Sequence, residues 1–139
     1  MKIYVTTPEF EGATLAGSGK IICDSLTNEF LSLELTGSGR IDFAQVDVMD
    51  LDAKISGSGD IKVSGITDRS EFEITGSGNI RSLELFQLKC EARITGSGNM
   101  YVNTEDYLRA VITGSGNIYY IGEPIVDDLI TGTGRVRRY

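Results

Sequence analysis

Hydrophobic and polar residues alternate along most of this chain, and the alternation restarts at a glycine pair every 18 to 20 residues. Leu31, Leu33 and Leu35 lead into Gly37, and Leu51, Ala53 and Ile55 into Gly57. Cys90, Ala92 and Ile94 lead into Gly96, and Leu108, Ala110 and Ile112 into Gly114. Beyond the pairs the alternation resumes with Ile21 and Cys23, Ile41 and Phe43, Ile61 and Val63, Met100 and Val102, and Ile118 and Tyr120. Polar residues fill the places between: Glu34, Lys54, Glu73 and Arg93 before the glycines, Asp42, Lys62 and Arg81 after them. A period of two is that of a strand with one buried and one solvated face. Nine residues after the first glycine, Leu26, Val46, Ile66 and Leu85 mark one more apolar position, predicted to start a short strand or turn on a far wall.

The first glycines of the pairs are Gly17, Gly37, Gly57, Gly76, Gly96, Gly114 and Gly132. A unit of this size cannot own a core, so it must bury its apolar side against its neighbours, which is the logic of a solenoid. Helical repeats are a poor competitor, because a glycine pair would interrupt each helix and no period of 3.6 runs between the pairs. The pattern therefore predicts an all-β fold, a small parallel β-helix (β-solenoid) of about seven coils, each marked by a Gly-Ser-Gly corner. Residues 1–139 are expected to form a single domain: 1–16 a lead-in strand and opening coil, 17–131 six full repeats, and 132–139 a terminal half coil. In the first segment Ile3 and Val5 alternate ahead of Pro8 and Phe10, and Ala13 and Leu15 belong to the short opening coil. In the last, Val136 is the inward anchor, with Arg135, Arg137 and Arg138 at an exposed end.

Stacking of like positions makes each repeat position a column. Ser18, Ser38, Ser58, Ser77, Ser97 and Ser115, then Thr133, are expected to form a hydroxyl ladder, and Asn79, Asn99 and Asn117 an amide ladder. Seven equivalent hydroxyls read as structure and not as a nucleophile. Glu34, Lys54, Glu73 and Arg93 alternate in sign, as expected for ion pairs between successive strands. Cys23 and Cys90 fall on inward positions of different walls, three coils apart, too far for a disulfide, and are expected to be buried free thiols. Tyr101 and Tyr119 share one outward position in adjacent coils and are the candidate binding residues; Tyr107 and Tyr139 lie elsewhere in the C-terminal part, and Tyr120 reads as core.

Composition narrows the chemistry. The 139 residues carry 20 acidic and 13 basic side chains, a formal charge of -7, and no histidine. The commonest general base near neutral pH and the commonest transition-metal ligand are thus missing, and neither a metal site nor a cofactor is expected. The acidic balance disfavours nucleic acid and anionic membranes, which need a clustered cationic face; Arg135, Arg137 and Arg138 form too short a run to reverse it. No stretch approaches about 18 consecutive apolar residues, so no transmembrane segment is expected, and the first ten residues do not read as a secretion signal. A dinucleotide site is excluded because no glycine pair leads into a third glycine and a helix. The GSGD of the third coil lacks the nine-residue spacing of calcium-binding solenoids.

Two carboxylates about 5 to 9 Å apart suffice for glycoside cleavage without histidine. The candidates are Asp47, Asp50, Asp52 and Glu71, or Asp127 and Asp128, each equally explained as the solvated face of an acidic rod. No residue is assigned a catalytic role.

The run of ITGSGN units, each followed by Ile or Met and a short strand, resembles the head GIN domain family of putative auto-transporter adhesins. So do the opening IYVTTPEFEGATLAGSGKI and the closing GNIYYIGEPIVDDLITGTGRVRRY, and the resemblance covers essentially the whole chain. It implies a right-handed parallel β-helix, an origin among Bacteroides-type bacteria, and a place in the cell envelope, secreted or lipoprotein-anchored. It implies surface adhesion and no catalytic residues. The expectation is an adhesin-like binding module without catalysis, whose partner is a glycan or a surface protein. The alternatives are a glycosidase or polysaccharide lyase on the same fold, or a structural spacer. The uncapped N-terminal coil leaves homo-oligomer formation open.

Overall fold

The computed structural model describes residues 2–5, 12–23 and 26–139; the predicted lead-in residues Pro8 and Phe10 lie outside this set. Among the described residues there are eleven strands and no helix: β1 (Lys2–Val5), β2 (Gly12–Gly17), β3 (Lys20–Cys23), β4 (Leu26–Gly37), β5 (Arg40–Gly57), β6 (Asp60–Gly76), β7 (Asn79–Gly96), β8 (Asn99–Gly114), β9 (Asn117–Ile121), β10 (Ile125–Gly132) and β11 (Arg135–Arg138). Every pairing is parallel and joins a strand to the stretch one coil further along. The chain is a β-solenoid of about six turns. Gly17, Gly37, Gly57, Gly76, Gly96, Gly114 and Gly132 stand in one column, as the repeat requires.

Each coil falls into three runs, which β5 shows when paired with β6: Arg40–Phe43 on a first wall, Val46–Val48 on a second and Asp50–Gly57 on a third. At the corner between second and third walls one residue of β7, Leu88, faces two of β8, but most of the variation in coil length falls at the corner between first and second walls. Ala44 and Gln45 fill it in β5, with Gln45 at the left-handed φ of 53°, while Ser64 alone does so in β6.

The glycine pair turns the third wall into the next first wall, and its two members are needed for different reasons. Gly57 has φ +122°, a conformation that side chains with a Cβ rarely adopt. Gly59 has no such φ, but a Cβ on it would stand 2.5 Å from both the Gly39 carbonyl oxygen and Leu35 Cδ2. The N–H groups of Ser58 and Gly59 both donate to the Gly37 carbonyl at 3.0 Å. The column is therefore held by backbone bonds. The Ser58 hydroxyl is solvent-facing, and no hydroxyl-to-hydroxyl bond joins the described corner serines, so the expected hydroxyl ladder is replaced by a main-chain one.

The core is a set of stacked columns. Ile21, Ile41, Ile61, Ile80, Met100 and Ile118 line the first wall; Leu35, Ile55, Ile74, Ile94 and Ile112 line the third. Phe72 sits between Ala53 and Ala92, small residues that leave room for its ring. Burying each large aliphatic side chain contributes about 1.5–3 kcal/mol, which is how coils this small hold together. Cys23 and Cys90 are buried thiols in no disulfide, as expected.

Two further expectations fail. The grouping of Leu26, Val46, Ile66 and Leu85 breaks at Ile66: it is 56% exposed, and Gly65 takes the place that Val46 and Leu85 hold in neighbouring coils. The third coil is one residue short at the corner, and a one-residue slip moves a side chain to the opposite face. Glu34, Lys54, Glu73 and Arg93 do stack, but no ion pair joins them; Arg93 instead reaches Glu91 on its own strand at 3.7 Å. Exposed pairs of this kind gain too little to hold two long side chains in one geometry.

Candidate functional site: the first wall and its tyrosines

The first wall presents two outward rows. One runs Lys20, Arg40, Asp60, Asn79, Asn99, Asn117 and Arg135; the other runs Ile22, Asp42, Lys62, Arg81, Tyr101, Tyr119 and Arg137. Alternation within each short strand fixes these rows, because its other residues fill the core.

In the first row the asparagines bond side chain to side chain. Asn117 Nδ2 donates to Asn99 Oδ1 at 3.2 Å, Asn99 Nδ2 to Asn79 Oδ1 at 3.4 Å, and Asn79 Nδ2 to Asp60 Oδ1 at 3.0 Å. The amide ladder is present, and a carboxylate closes it.

In the second row Tyr101 and Tyr119 stack, with ring centroids 5.1 Å apart and planes inclined by 15°. Tyr139 packs edge-on against both, at 6.0 and 6.4 Å. It is brought there by β11 and by its own N–H, which donates to the Tyr120 carbonyl at 2.7 Å. Tyr120 is half-buried against the core, with the Arg138 guanidinium 5.4 Å from its ring centroid. The two tyrosines thus stand on edge and cover one face of each other. The remaining face of Tyr101 is turned toward the coil of Arg81.

A groove of about 320 Å³ opens there, lined by Lys62, Ser64, Arg81, Glu84, Tyr101 and Tyr139. Ser64 Oγ donates to Glu84 Oε2 at 3.4 Å on its rim. Tyr119 does not line it. Sequence reading singled out the tyrosine pair but missed Lys62, Arg81 and Tyr139. It also missed the charge pattern. The first-wall strands carry Lys2, Lys20, Arg40, Lys62, Arg81, Arg135, Arg137 and Arg138, eight of the chain's 13 cations, against only Asp42 and Asp60 of its 20 acids. The signal was available in the distance of each charge from its glycine pair; the net charge concealed it.

The acidic candidates do not face each other across a cleft. Asp52 and Glu71 are neighbours on one face of the third wall and, with Asp50, line a shallow groove of about 220 Å³. Partial burial raises the Asp52 pKa, opposed by Lys54 and assisted by Glu73 and Glu34. Asp47 is exposed on the second wall, Asp127 accepts a hydrogen bond from the Tyr107 hydroxyl at 3.1 Å, and Asp128 is exposed above Ala110. Among the described residues no three His, Cys, Asp or Glu side chains are grouped to hold a metal ion, and no helix is long and apolar enough to cross a membrane.

Inside the coils lies a polar patch that the apolar period did not reveal. Thr67, Ser70, Ser82, Gln87 and Thr104 are buried. Ser70 Oγ donates to Gln87 Oε1, Ser82 Oγ to the Tyr101 carbonyl at 2.8 Å, and Thr67 Oγ1 to the Met49 carbonyl at 3.2 Å. Beside Ser70, burial pushes the Cys90 thiol up to about 12, an unreactive environment and not that of a nucleophile.

Aligned glycine columns and short three-walled coils define a parallel β-solenoid built from one repeated corner. The chain belongs to the family described as "Putative auto-transporter adhesin, head GIN domain", which it matches over residues 1–124. Among solved structures it is similar to a "putative lipid binding protein" from Parabacteroides distasonis, with 30% identity and a TM-score of 0.91 over 99% of this chain and 55% of that one. It is also similar to a "putative adhesin" from Bacteroides fragilis, with 27% identity and a TM-score of 0.88 over 93% of this chain and 60% of that one. A "putative adhesin" from Parabacteroides merdae, 22% identical with a TM-score of 0.81, shares the fold over 93% of this chain and 63% of its own. The chain thus spans somewhat over half the length of these structures. No curated protein sequence matches it.

Proposed function

We propose that this chain is a non-catalytic binding module of the bacterial cell envelope, secreted or lipoprotein-anchored, and that its first wall makes the contact. The observation that carries this reading is the Tyr101–Tyr119 stack braced by Tyr139 beside an open groove. Tyrosine offers rigid area with a polar end, and bracing lowers the entropy lost on binding. The groove's other side chains donate and accept hydrogen bonds, which suits a glycan. Family membership supports adhesion, and the same-face arrangement of Asp52 and Glu71 supplies no opposed acid and base for glycoside cleavage.

The test is a screen of the purified chain against bacterial and host glycans, read both as binding and as product release. Binding without turnover is expected, lost in the Tyr101→Ala, Tyr119→Ala double variant while the far-UV circular dichroism stays that of the parent. Turnover, or undiminished affinity in that variant, overturns the reading.

A second reading, contact with lipid, is favoured by one observation. Ile66 and Phe86, register neighbours on the second wall, are 56% and 43% exposed, and a relative of this chain is described as lipid-binding. Ile66→Asp would abolish vesicle binding if that wall were the contact.

A further inference from the structure

We infer that the first wall takes a linear acidic polysaccharide, laid along the solenoid axis over Lys62 and Arg81 with one sugar ring on the free face of Tyr101; this rests on the reading of that wall as the binding face. The chain's charge is divided by wall. The formal charge is -7, yet the first-wall strands hold more than half of the cations and only two acids. Lys62 and Arg81 are cross-strand neighbours, as are Lys20 and Arg40, so like charges meet at the strand spacing of about 4.8 Å. Such contacts are destabilising by themselves. None of the four has a carboxylate within ion-pair distance among the described residues, although Asp42 is the register neighbour of Lys62 and Asp60 that of Arg40. An anion bridging Lys62 and Arg81 relieves the repulsion that the fold leaves in place.

The shape selects the kind of anion. Charges repeating along one axis match a polymer that repeats its carboxylates or sulfates along one axis. Tyr101 sits in the same row one coil beyond Arg81, where an apolar sugar face can stack, and Ser64 and Glu84 on the rim suit hydroxyl groups. A membrane surface fits less well. Apart from Tyr139, the large exposed apolar side chains lie off the first wall, so it lacks anchors to insert.

The full chain is titrated by calorimetry with polygalacturonate, dextran sulfate and neutral dextran, and by sedimentation with vesicles of phosphatidylcholine and phosphatidylglycerol. The acidic polymers are expected to bind, more weakly as salt is raised, and to lose about tenfold or more in the Lys62→Glu, Arg81→Glu double variant but not in Lys89→Glu on the third wall. The paired Gln variants serve if charge reversal unfolds the chain. An equal loss from Lys89→Glu, or none from either first-wall double variant, overturns the inference. Binding of vesicles alone also overturns it. If neutral dextran binds as well as the acidic polymers and depends on Tyr101, the acidic specificity falls while the wall remains the binding face. If no glycan binds in this assay or in the screen, both fall.

Discussion

Asn117 donates its side-chain amide to Asn99 at 3.2 Å, and the same bond, repeated twice more, ends on the Asp60 carboxylate. Asn99 is therefore both donor and acceptor, and Asn99→Ala breaks two half-buried bonds at once, leaving Asn117 without its acceptor. The expected cost is about 1–3 kcal/mol, read as a lower urea midpoint at unchanged slope. A midpoint equal to that of the parent would mean that the ladder contributes nothing.

The corner makes opposite demands on adjacent residues. At Gly59 a Cβ meets the Gly39 carbonyl oxygen and Leu35 Cδ2, each at 2.5 Å, and the backbone cannot yield without shifting a coil. Gly59→Ala should destabilise by about 1–3 kcal/mol or more. Ser58→Ala, one residue away, removes an exposed hydroxyl outside the bonds that hold the column, and should stay within about 0.5 kcal/mol of the parent. Comparable losses from both, in thermal or urea unfolding, would restore the hydroxyl ladder.

The columns were legible in the sequence because a period of two fixes which side chains face inward, and equal spacing from the glycines fixes which residues stack. Tyr101 over Arg81 and Asn99 over Asn79 follow from that alone. Ile66 falls out of the column of Val46 and Leu85 because its coil is one residue short and the deletion sits at a corner, after which counting from the glycine no longer gives the face. Contacts between elements distant in sequence were not legible: Tyr139 reaches Tyr101 only because β11 lands on β9. Nor was Ser70 visible as an inward residue, since its polarity argued against burial until Gln87 supplied an acceptor. Ion pairs between stacked charges were over-read, because register brings side chains near without making them prefer each other to water.

On the third wall Asp52 lies beside Glu71 with Glu34 and Glu73 close by, and partial burial is the main reason its pKa is raised. A carboxyl raised in the folded state disfavours folding once it ionises, so the effect is present at neutral pH and vanishes below the ordinary value of 3.8, where both states are protonated. Asp52→Asn should accordingly raise the urea midpoint at pH 7, and the gain should fade as the pH drops through that range. It should leave glycan binding on the first wall unchanged. A gain that grew as the pH fell would reverse the assigned sign.

Cys90 supplies a test at the opposite end of the pH scale. Burial is the first cause of its rise from 9.0 to about 12, with the neighbouring hydroxyls of Ser70 and Thr104 offsetting part of it. The unfolded chain therefore releases this proton near pH 9 while the folded chain keeps it, so the stability linked to the thiol is intact below pH 9 and is lost as the pH climbs toward 12. Within that window the slope is about 1.4 kcal/mol per pH unit for one proton. Subtracting the unfolding free energy of Cys90→Ser, measured at each pH, removes the contributions of Cys23 and the tyrosines. The difference should fall steadily above pH 9, and thiol titration of the folded parent at pH 8 should find Cys90 unreactive until denaturant is added. A flat difference, or prompt labelling of Cys90 in the native chain, would place that side chain in contact with water and break the inward column that Leu31, Leu51, Ser70 and Leu108 share with it.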